Sequence, residues 1–209
     1  LNQLDTPNDL LRKFIKGNSV NYSFTIIEGW TYKQLIEAIR KDPILEQTTD
    51  LSDIKTVISS LKINRNHPEG LFLPDTYHFP RGTSDLHFLN RAHLTLNDVL
   101  EIEWKQRADN LPLKSPYEAL ILASIIEKET GVTYEMPLIS AAFIKRLQKN
   151  MRLQTDPTII YGLGEQFDGD IRYRDLRKDT PYNTYIHKGL TPTPIALPGR
   201  EAIHAALNP

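Results

Sequence analysis

The sequence predicts an α+β protein made of a small mixed module and a larger, mainly helical part with short strands. The first observation is an alternating, strand-like run followed by two capped helical patterns within roughly the first 70 residues. The second is a series of helix-opening signals farther along the chain, and the third is a proline-punctuated final segment that favours turns. Because the 209 residues contain no cysteine, a hydrophobic core rather than disulfides must stabilise this fold.

The first module is predicted from alternating and helical patterns taken in chain order. Thr31 and Gln34 match a capping box that opens a helix with Leu35, Ile36 and Ile39 on its apolar face. The other predicted elements are a helix-like apolar stripe at residues 10–15, a strand at 22–27, a helix capped by Asp50 or Ser52, and a strand-like run at 70–73.

The larger part is predicted to contain helices that begin near Ser84, Ser115, Pro137 and Arg200. The run Ser115-Pro-Tyr-Glu118 combines a capping box with proline at the first helical position. Residues 119–126 are almost all apolar, so we expect this helix to be buried on most sides.

Two glutamates in the last turn of this helix are the first catalytic candidates. Glu129 follows Ile125 by four residues and Leu122 by seven, which places it on an apolar stripe, whereas Glu127 follows Ala123 in a smaller neighbourhood. Desolvation and the negative end of the helix dipole both raise the pKa of a carboxyl group in such a position. The protonated form that a general acid needs is thereby favoured, and the spacing prefers Glu129 to Glu127 only weakly.

Each of these carboxylates also has a structural interpretation. The two glutamates can form ion pairs with Lys128 or Arg146 at a helix end. Asp156 is a possible second catalytic carboxylate, but it directly precedes Pro157, a pattern that favours the N-cap of a short helix.

Charge and motif content exclude several classes of function. Lys and Arg total 25 against 26 Asp and Glu, which gives a net charge of −1. The chain therefore lacks the excess of positive charge that is typical of nucleic-acid-binding proteins. Without cysteine there is no thiol nucleophile and no cysteine-ligated metal. The six histidines lack a metal-binding spacing. Neither a metal nor another cofactor is therefore expected. No apolar run reaches the roughly 18 residues that a membrane helix requires.

Five runs of residues resemble one protein family. Their order and spacing extend over nearly the whole chain. They are Phe24-Thr-Ile-Ile-Glu-Gly-Trp30, Glu69-Gly-Leu-Phe-Leu-Pro-Asp-Thr-Tyr77, Leu122-Ala-Ser-Ile-Ile-Glu-Lys-Glu-Thr-Gly131, Met151-Arg-Leu-Gln-Thr-Asp-Pro-Thr-Ile-Ile-Tyr-Gly162, and Tyr182-Asn-Thr-Tyr185 with Gly189-Leu190 and Pro198-Gly199. In this order and spacing the chain resembles the MltG/YceG-type endolytic murein transglycosylases of bacteria.

The resemblance implies a domain organisation and a location. Residues 1–68 would be a partial LysM-like subdomain, and residues 69–209 a transglycosylase catalytic domain truncated at its C-terminus. The family resemblance further implies a single-pass protein of the bacterial inner membrane, with the catalytic part on the extracytoplasmic or periplasmic side and the membrane anchor outside this chain.

The resemblance also implies an activity. It is cleavage of the β-1,4 bond between N-acetylmuramic acid and N-acetylglucosamine within peptidoglycan strands, leaving 1,6-anhydro ends, during cell-wall synthesis and remodelling. Peptidoglycan glycan strands are the implied partner, and peptidoglycan synthases remain open as protein partners. A non-catalytic peptidoglycan-binding scaffold and a hydrolytic glycosidase are the alternatives.

The family's catalytic glutamate falls on Glu129, in agreement with the helical-face argument. One carboxyl group serves first as general acid and then as general base, so the reaction requires neither a second carboxylate nor a metal. We further predict substrate contacts at Gln154, Thr155, Tyr182, Asn183 and Tyr185, with Glu69 and Asp75 supporting the cleft from the junction of the two parts.

Overall fold

The computed structural model describes Thr6 and residues 21–209. Its first elements are strand β1 (Asn21–Thr25), helix α1 (Tyr32–Lys41), helix α2 (Ile54–Ser60) and strand β2 (Thr76–Pro80). The two strands pair antiparallel. The apolar stripe predicted at residues 10–15 lies outside the described residues.

Local capping signals place the two helices of this β-α-α-β arrangement. The predicted capping box is confirmed, because the Thr31 side chain accepts from the Gln34 N–H and the Gln34 side chain accepts from the Thr31 N–H. The predicted cap of α2 is wrong: its N-cap is Asp53, while Asp50 accepts from the N–H and hydroxyl of Ser52. A run of several Asp and Ser residues offers more than one capping register, and packing selects among them.

The strand predicted at residues 70–73 is also wrong. Leu71, Phe72 and Leu73 are buried, but they lie in a loop, and β2 begins only at Thr76. The Leu73 N–H donates to the Ala92 carbonyl of a helix at 3.2 Å instead of entering a strand ladder. The apolar run therefore reflects burial of a loop beneath a helix rather than strand pairing.

The rest of the chain is mainly helical. The helices are α3 (Asp85–Lys105), α4 (Pro116–Glu129), α5 (Met136–Gln148), α6 (Asp156–Leu163), the single turn α7 (Tyr173–Leu176) and α8 (Arg200–Leu207). The predicted helix starts at Ser84, Ser115 and Arg200 are confirmed, and α5 begins one residue before Pro137. None of the helices in the described part is both long and apolar enough to cross a bilayer.

Helix α4 forms the centre of the core, as its sequence predicts. Its residues 119–126 are all buried, and α3, α5, α6 and α8 pack around it. The Ser115 hydroxyl oxygen accepts from the Glu118 N–H, while the Glu118 carboxylate accepts from the Lys114 N–H rather than closing the full capping box. Helix α4 is thus enclosed over residues 119–126, and its charged last turn reaches the surface.

The core is continuous from the two-stranded sheet to α8. The ring of Phe88 on α3 meets Phe24, Tyr77 and Phe79 edge-on, with centroids 5.1, 5.5 and 5.8 Å away. The α+β class is confirmed. The sheet joins residues on both sides of position 68, and the division into residues 1–68 and 69–209 stays a prediction.

Candidate active site

The last turn of α4 carries Glu127 and Glu129 out of the core in different directions. The buried run of the helix ends at Ile126; Glu127 is half-buried and Glu129 is exposed. The expectation that Glu129 lies in an apolar, desolvated neighbourhood is therefore wrong. Helical spacing identified the stripe correctly, but its last position lies at the surface.

Glu127 is the more desolvated of the two carboxylates, and burial raises its pKa. Its Oε2 accepts the backbone N–H of Gly199 at 2.9 Å. Gly199 is the N-cap of α8, so this carboxylate joins the end of α4 to the start of α8.

The predicted ion pairs with neighbouring cations do not form among the described residues. Lys128 donates its Nζ to the Gly29 carbonyl at 3.2 Å. Arg146 on α5 donates to the Leu153 carbonyl at 2.6 Å. Both cations therefore bind loop carbonyls rather than Glu129.

The carboxyl group of Glu129 accepts a short hydrogen bond from a buried hydroxyl. The Thr155 hydroxyl donates to Glu129 Oε2 at 2.6 Å, and Thr155 is only 2% exposed. Its N–H donates to the Thr184 hydroxyl oxygen at 3.1 Å, and the hydroxyls of Thr158 and Thr184 lie 2.8 Å apart. Three buried threonines from two segments thus stand behind the exposed carboxyl group of Glu129.

Gln154 gives Thr155 its inward orientation. It is exposed and has a left-handed backbone with φ 54°, which is uncommon for a residue with a side chain. Its N–H donates to the Thr184 carbonyl at 3.2 Å, and its Oε1 lies 3.3 Å from a guanidinium nitrogen of Arg146. The surroundings hold this strained turn in place, as is frequent at functional sites.

Tyr185 and Asp156 form a second polar pair beside Glu129. The Tyr185 hydroxyl donates to Asp156 Oδ1 at 2.6 Å. This hydrogen bond is the largest cause that raises the pKa of Tyr185 to about 12, followed by burial and by the negative charges of Asp156 and Glu129. The predicted N-cap role of Asp156 is wrong by one residue: Thr155 holds the N-cap position, and Asp156 is the first residue of α6.

Asn183 lies beneath the surface and shapes the loop that carries its neighbours. It is 1% exposed, and its side-chain amide donates to the carbonyls of Leu176 and Lys178 at 3.1 and 2.8 Å. Its Oδ1 accepts the Tyr185 N–H at 2.9 Å. The carboxamide is therefore fully engaged within the protein.

Glu69 and Tyr182 line a separate cleft of about 930 Å³ between α1 and α6. Glu69 is 3% exposed and accepts from the Tyr32 N–H at 2.8 Å and from the Tyr161 hydroxyl at 3.1 Å. Burial raises the pKa of Glu69 to about 7. The ring of Tyr182 meets that of Tyr161 edge-on at 4.8 Å, and Lys128 lines the same cleft.

Asp75 lies in another depression, which it shares with Arg200. The two side chains form an exposed ion pair at 3.6 Å.

The predicted site residues are therefore divided among several places. Glu129, Thr155, Gln154 and Tyr185 lie together, Glu69 and Tyr182 lie in the cleft, and Asn183 and Asp75 lie elsewhere. Whether any of them contacts substrate stays a prediction.

The whole chain has recognisable relatives among known proteins. The sequence model of the YceG-like family matches residues 1–209. The chain belongs to the YceG-like family.

Relatives of this YceG-like chain include two bacterial proteins named endolytic murein transglycosylase. The one from Bacillus subtilis is 33% identical over 96% of this chain and 60% of its own length. The one from Streptococcus pneumoniae R6 is 27% identical over 97% of this chain and 42% of its own length. A crystal structure of a YceG-like protein from Listeria monocytogenes matches all of this chain and 74% of that one, with 29% identity and a TM-score of 0.71. The chain thus spans about three fifths or less of these two named relatives.

Several residues of the site were not among the site residues predicted from the sequence. Thr158, Thr184 and Arg146 hold Thr155 and Gln154 through contacts between segments. Tyr161 meets Glu69 from a position 92 residues away. No local spacing reports such long-range contacts. Within the described residues, no group of three or more His, Asp or Glu side chains is placed to hold a metal ion.

Proposed function

We propose that this YceG-like chain carries an endolytic murein transglycosylase activity. It would cleave the β-1,4 bond between N-acetylmuramic acid and N-acetylglucosamine within peptidoglycan strands. The observation that carries the proposal is the Glu129 carboxyl group, which is exposed at the end of the buried helix α4 and held at one oxygen by the Thr155 hydroxyl. The names of the Bacillus and Streptococcus relatives support the same activity.

Glu129 acts first as a general acid. Its protonated carboxyl group donates a proton to the bridging oxygen as the bond between that oxygen and C1 of the muramic acid breaks. The positive charge that develops at C1 is stabilised by the substrate's own N-acetyl group and by nearby dipoles. The leaving sugar departs with a hydroxyl group, and Glu129 becomes a carboxylate.

The same carboxylate then acts as a general base. It takes the proton of the C6 hydroxyl of the muramic acid, whose oxygen bonds to C1 and closes the 1,6-anhydro ring. Glu129 is protonated again and no water is consumed. A carboxyl group that is exposed to solvent at a helix end is accessible to a position inside a long polymer, as an endolytic reaction requires.

The predicted partner and location follow from this substrate. Peptidoglycan strands lie outside the cytoplasmic membrane, so the proposed activity places the chain on the extracytoplasmic side. The inner-membrane anchor outside this chain and the contacts with peptidoglycan synthases are further proposals that rest on the family resemblance. Protease accessibility in spheroplasts tests the location, and copurification with synthases tests the partners.

The decisive experiment is digestion of purified peptidoglycan followed by mass spectrometry of the released muropeptides. The wild-type protein should release products with 1,6-anhydro ends. Glu129→Gln keeps the shape of the side chain and an acceptor for Thr155 but cannot transfer a proton, so release should fall by about 100-fold or more. Glu127→Gln, two residues earlier on the same helix, is the matched control and should retain activity, since an amide oxygen still accepts the Gly199 N–H.

The products also distinguish the alternatives. Reducing ends in place of anhydro ends would identify a hydrolytic glycosidase, in which water attacks C1. Binding of peptidoglycan without any released product would identify a scaffold. Either result contradicts the transglycosylase proposal.

A further inference from the structure

We propose that Thr155 is a positioning residue for Glu129, which holds Oε2 of the carboxyl group and leaves Oε1 as the oxygen that transfers the proton. This inference rests on the proposed function. It replaces the prediction that Thr155 contacts the sugar, because a residue 2% exposed has almost no surface for a ligand.

The hydroxyl proton of Thr155 is not needed by the other two threonines. A hydroxyl group has one proton to donate. The Thr158 hydroxyl gives its proton to the Thr155 carbonyl at 2.7 Å, and the Thr184 hydroxyl can give its proton to Thr158 Oγ1 at 2.8 Å or to the Thr155 carbonyl at 3.5 Å. The proton of Thr155 remains for Glu129 Oε2 at 2.6 Å, the only acceptor of this set outside the cluster.

Hydrogen bonds to the backbone fix the position from which the Thr155 side chain projects. The Thr155 N–H is bound to the Thr184 hydroxyl oxygen at 3.1 Å. The preceding residue, Gln154, is held in its left-handed conformation by the Thr184 carbonyl at 3.2 Å. Both segments are fixed to one another, so Thr155 is preorganised as a donor toward the end of α4.

This donor suits both proton-transfer steps. With Oε1 protonated, Oε2 has carbonyl character and accepts from Thr155; with the carboxyl group ionised, Oε2 accepts more strongly. The hydrogen bond persists in both states, so the carboxyl group does not need to rotate between donating a proton to the bridging oxygen and taking one from the C6 hydroxyl. A carboxyl group free to rotate about its last bond would present either oxygen at random.

Thr155→Val removes the hydroxyl while preserving the size and branching of the side chain. We expect kcat for anhydro-muropeptide release to fall about 10- to 100-fold with KM nearly unchanged. A loss confined to kcat in folded protein is a readout that a structural role alone would not produce.

A second pair of variants distinguishes the loss of the hydroxyl donor from misfolding. Thr155→Ser and Thr155→Ala lose the same methyl group, but only serine retains the donor, so serine should recover most of the activity and alanine should not. Thermal unfolding of each variant confirms that it is folded. In the Glu129→Gln background, Thr155→Val should cause little further loss, because the two residues act as a unit.

The outcomes separate this inference from the proposed function. If the wild type releases no anhydro products, the proposed function fails. If the wild type and Glu129→Gln behave as expected but Thr155→Val keeps the wild-type kcat, only the positioning role is overturned. A rise in KM with unchanged kcat would overturn it too and restore the sugar-contact role.

Discussion

Glu127, Glu129 and Glu69 show that the partners of a carboxylate decide its role more than its burial does. Glu127 is the half-buried member of the pair on α4, yet its Oε2 is bound to the Gly199 N–H and joins two helices. Glu129 is exposed, and its partner is a buried hydroxyl aimed outward. Glu69 is the most buried of the three, and its two oxygens accept from Tyr32 and Tyr161. Of the three, only Glu129 is both exposed and held by a buried side chain.

The buried carboxyl group of Glu69 should make stability depend on pH. Burial raises its pKa from 4.5 to about 7, so the folded state holds a proton that the unfolded chain has already lost between these values. The free energy of unfolding should therefore fall with rising pH in this window and level off above it. Glu69→Gln stays neutral, and its one oxygen can accept the Tyr32 N–H while its NH2 group donates to the Tyr161 hydroxyl oxygen. Relative to this variant, the wild type should lose about 3 kcal/mol between pH 4.5 and 8. Urea unfolding of both proteins across this range measures the difference, and a difference independent of pH would contradict it.

At the scale of single elements, local capping chemistry places helix starts well when one candidate stands alone. Thr31, Ser84 and Ser115 each cap the helix that their pattern predicts. The prediction fails where several polar residues precede a helix, as before Asp53. It also fails where the residue before the predicted cap takes the N-cap position, as Thr155 does. In such cases several registers are locally equivalent, and tertiary packing selects one of them.

Helix α4 should be sensitive to its single N-terminal cap. The Ser115 hydroxyl oxygen accepts from the Glu118 N–H at 3.3 Å. The helix lies at the centre of the core, where its residues 119–126 are buried. Ser115→Ala should lower the free energy of unfolding by about 1 kcal/mol, whereas Ser115→Asp should retain most of it because a carboxylate also caps the helix. Chemical denaturation distinguishes the two variants. Equal stability of the alanine and aspartate variants would show that the cap contributes nothing.

At the scale of the whole molecule, contacts between distant segments join the first elements to the helical part. Strand β1 pairs with β2, the Gly29 N–H donates to the Leu197 carbonyl at 2.9 Å, and Glu69 connects α1 with α6. The ion pair of Lys33 and Glu165 also crosses the cleft, but its side chains are exposed and such pairs contribute little. Buried hydrogen bonds and packing therefore hold the cleft walls together.

A substitution at Gly70 can test this packing. Its φ of +76° favours glycine, and a Cβ atom there would lie 2.3 Å from Cβ of Pro194, in a segment distant along the chain. Gly70→Ala should lower the free energy of unfolding by about 2–4 kcal/mol, because strain and overlap add. Gly189→Ala is the matched control: its φ is +88° with no atom within 4 Å of the added Cβ, so backbone strain alone should lower the free energy of unfolding by about 1 kcal/mol. Equal thermal unfolding shifts for the two variants would rule out the close packing at Gly70.

The sequence by itself determined the α+β class, most helix starts, the burial of α4 and the position of Glu129 at its end, because capping and hydrophobic periodicity act over a few neighbouring residues. Family membership likewise follows from motifs in register along the chain. Only the tertiary structure decided that Glu129 is exposed while Glu127 is engaged by α8, that Thr155 is a buried donor, and that Glu69 closes a cleft with Tyr161. These features depend on which segments meet across 26 to 92 residues of chain, and local patterns do not encode such contacts.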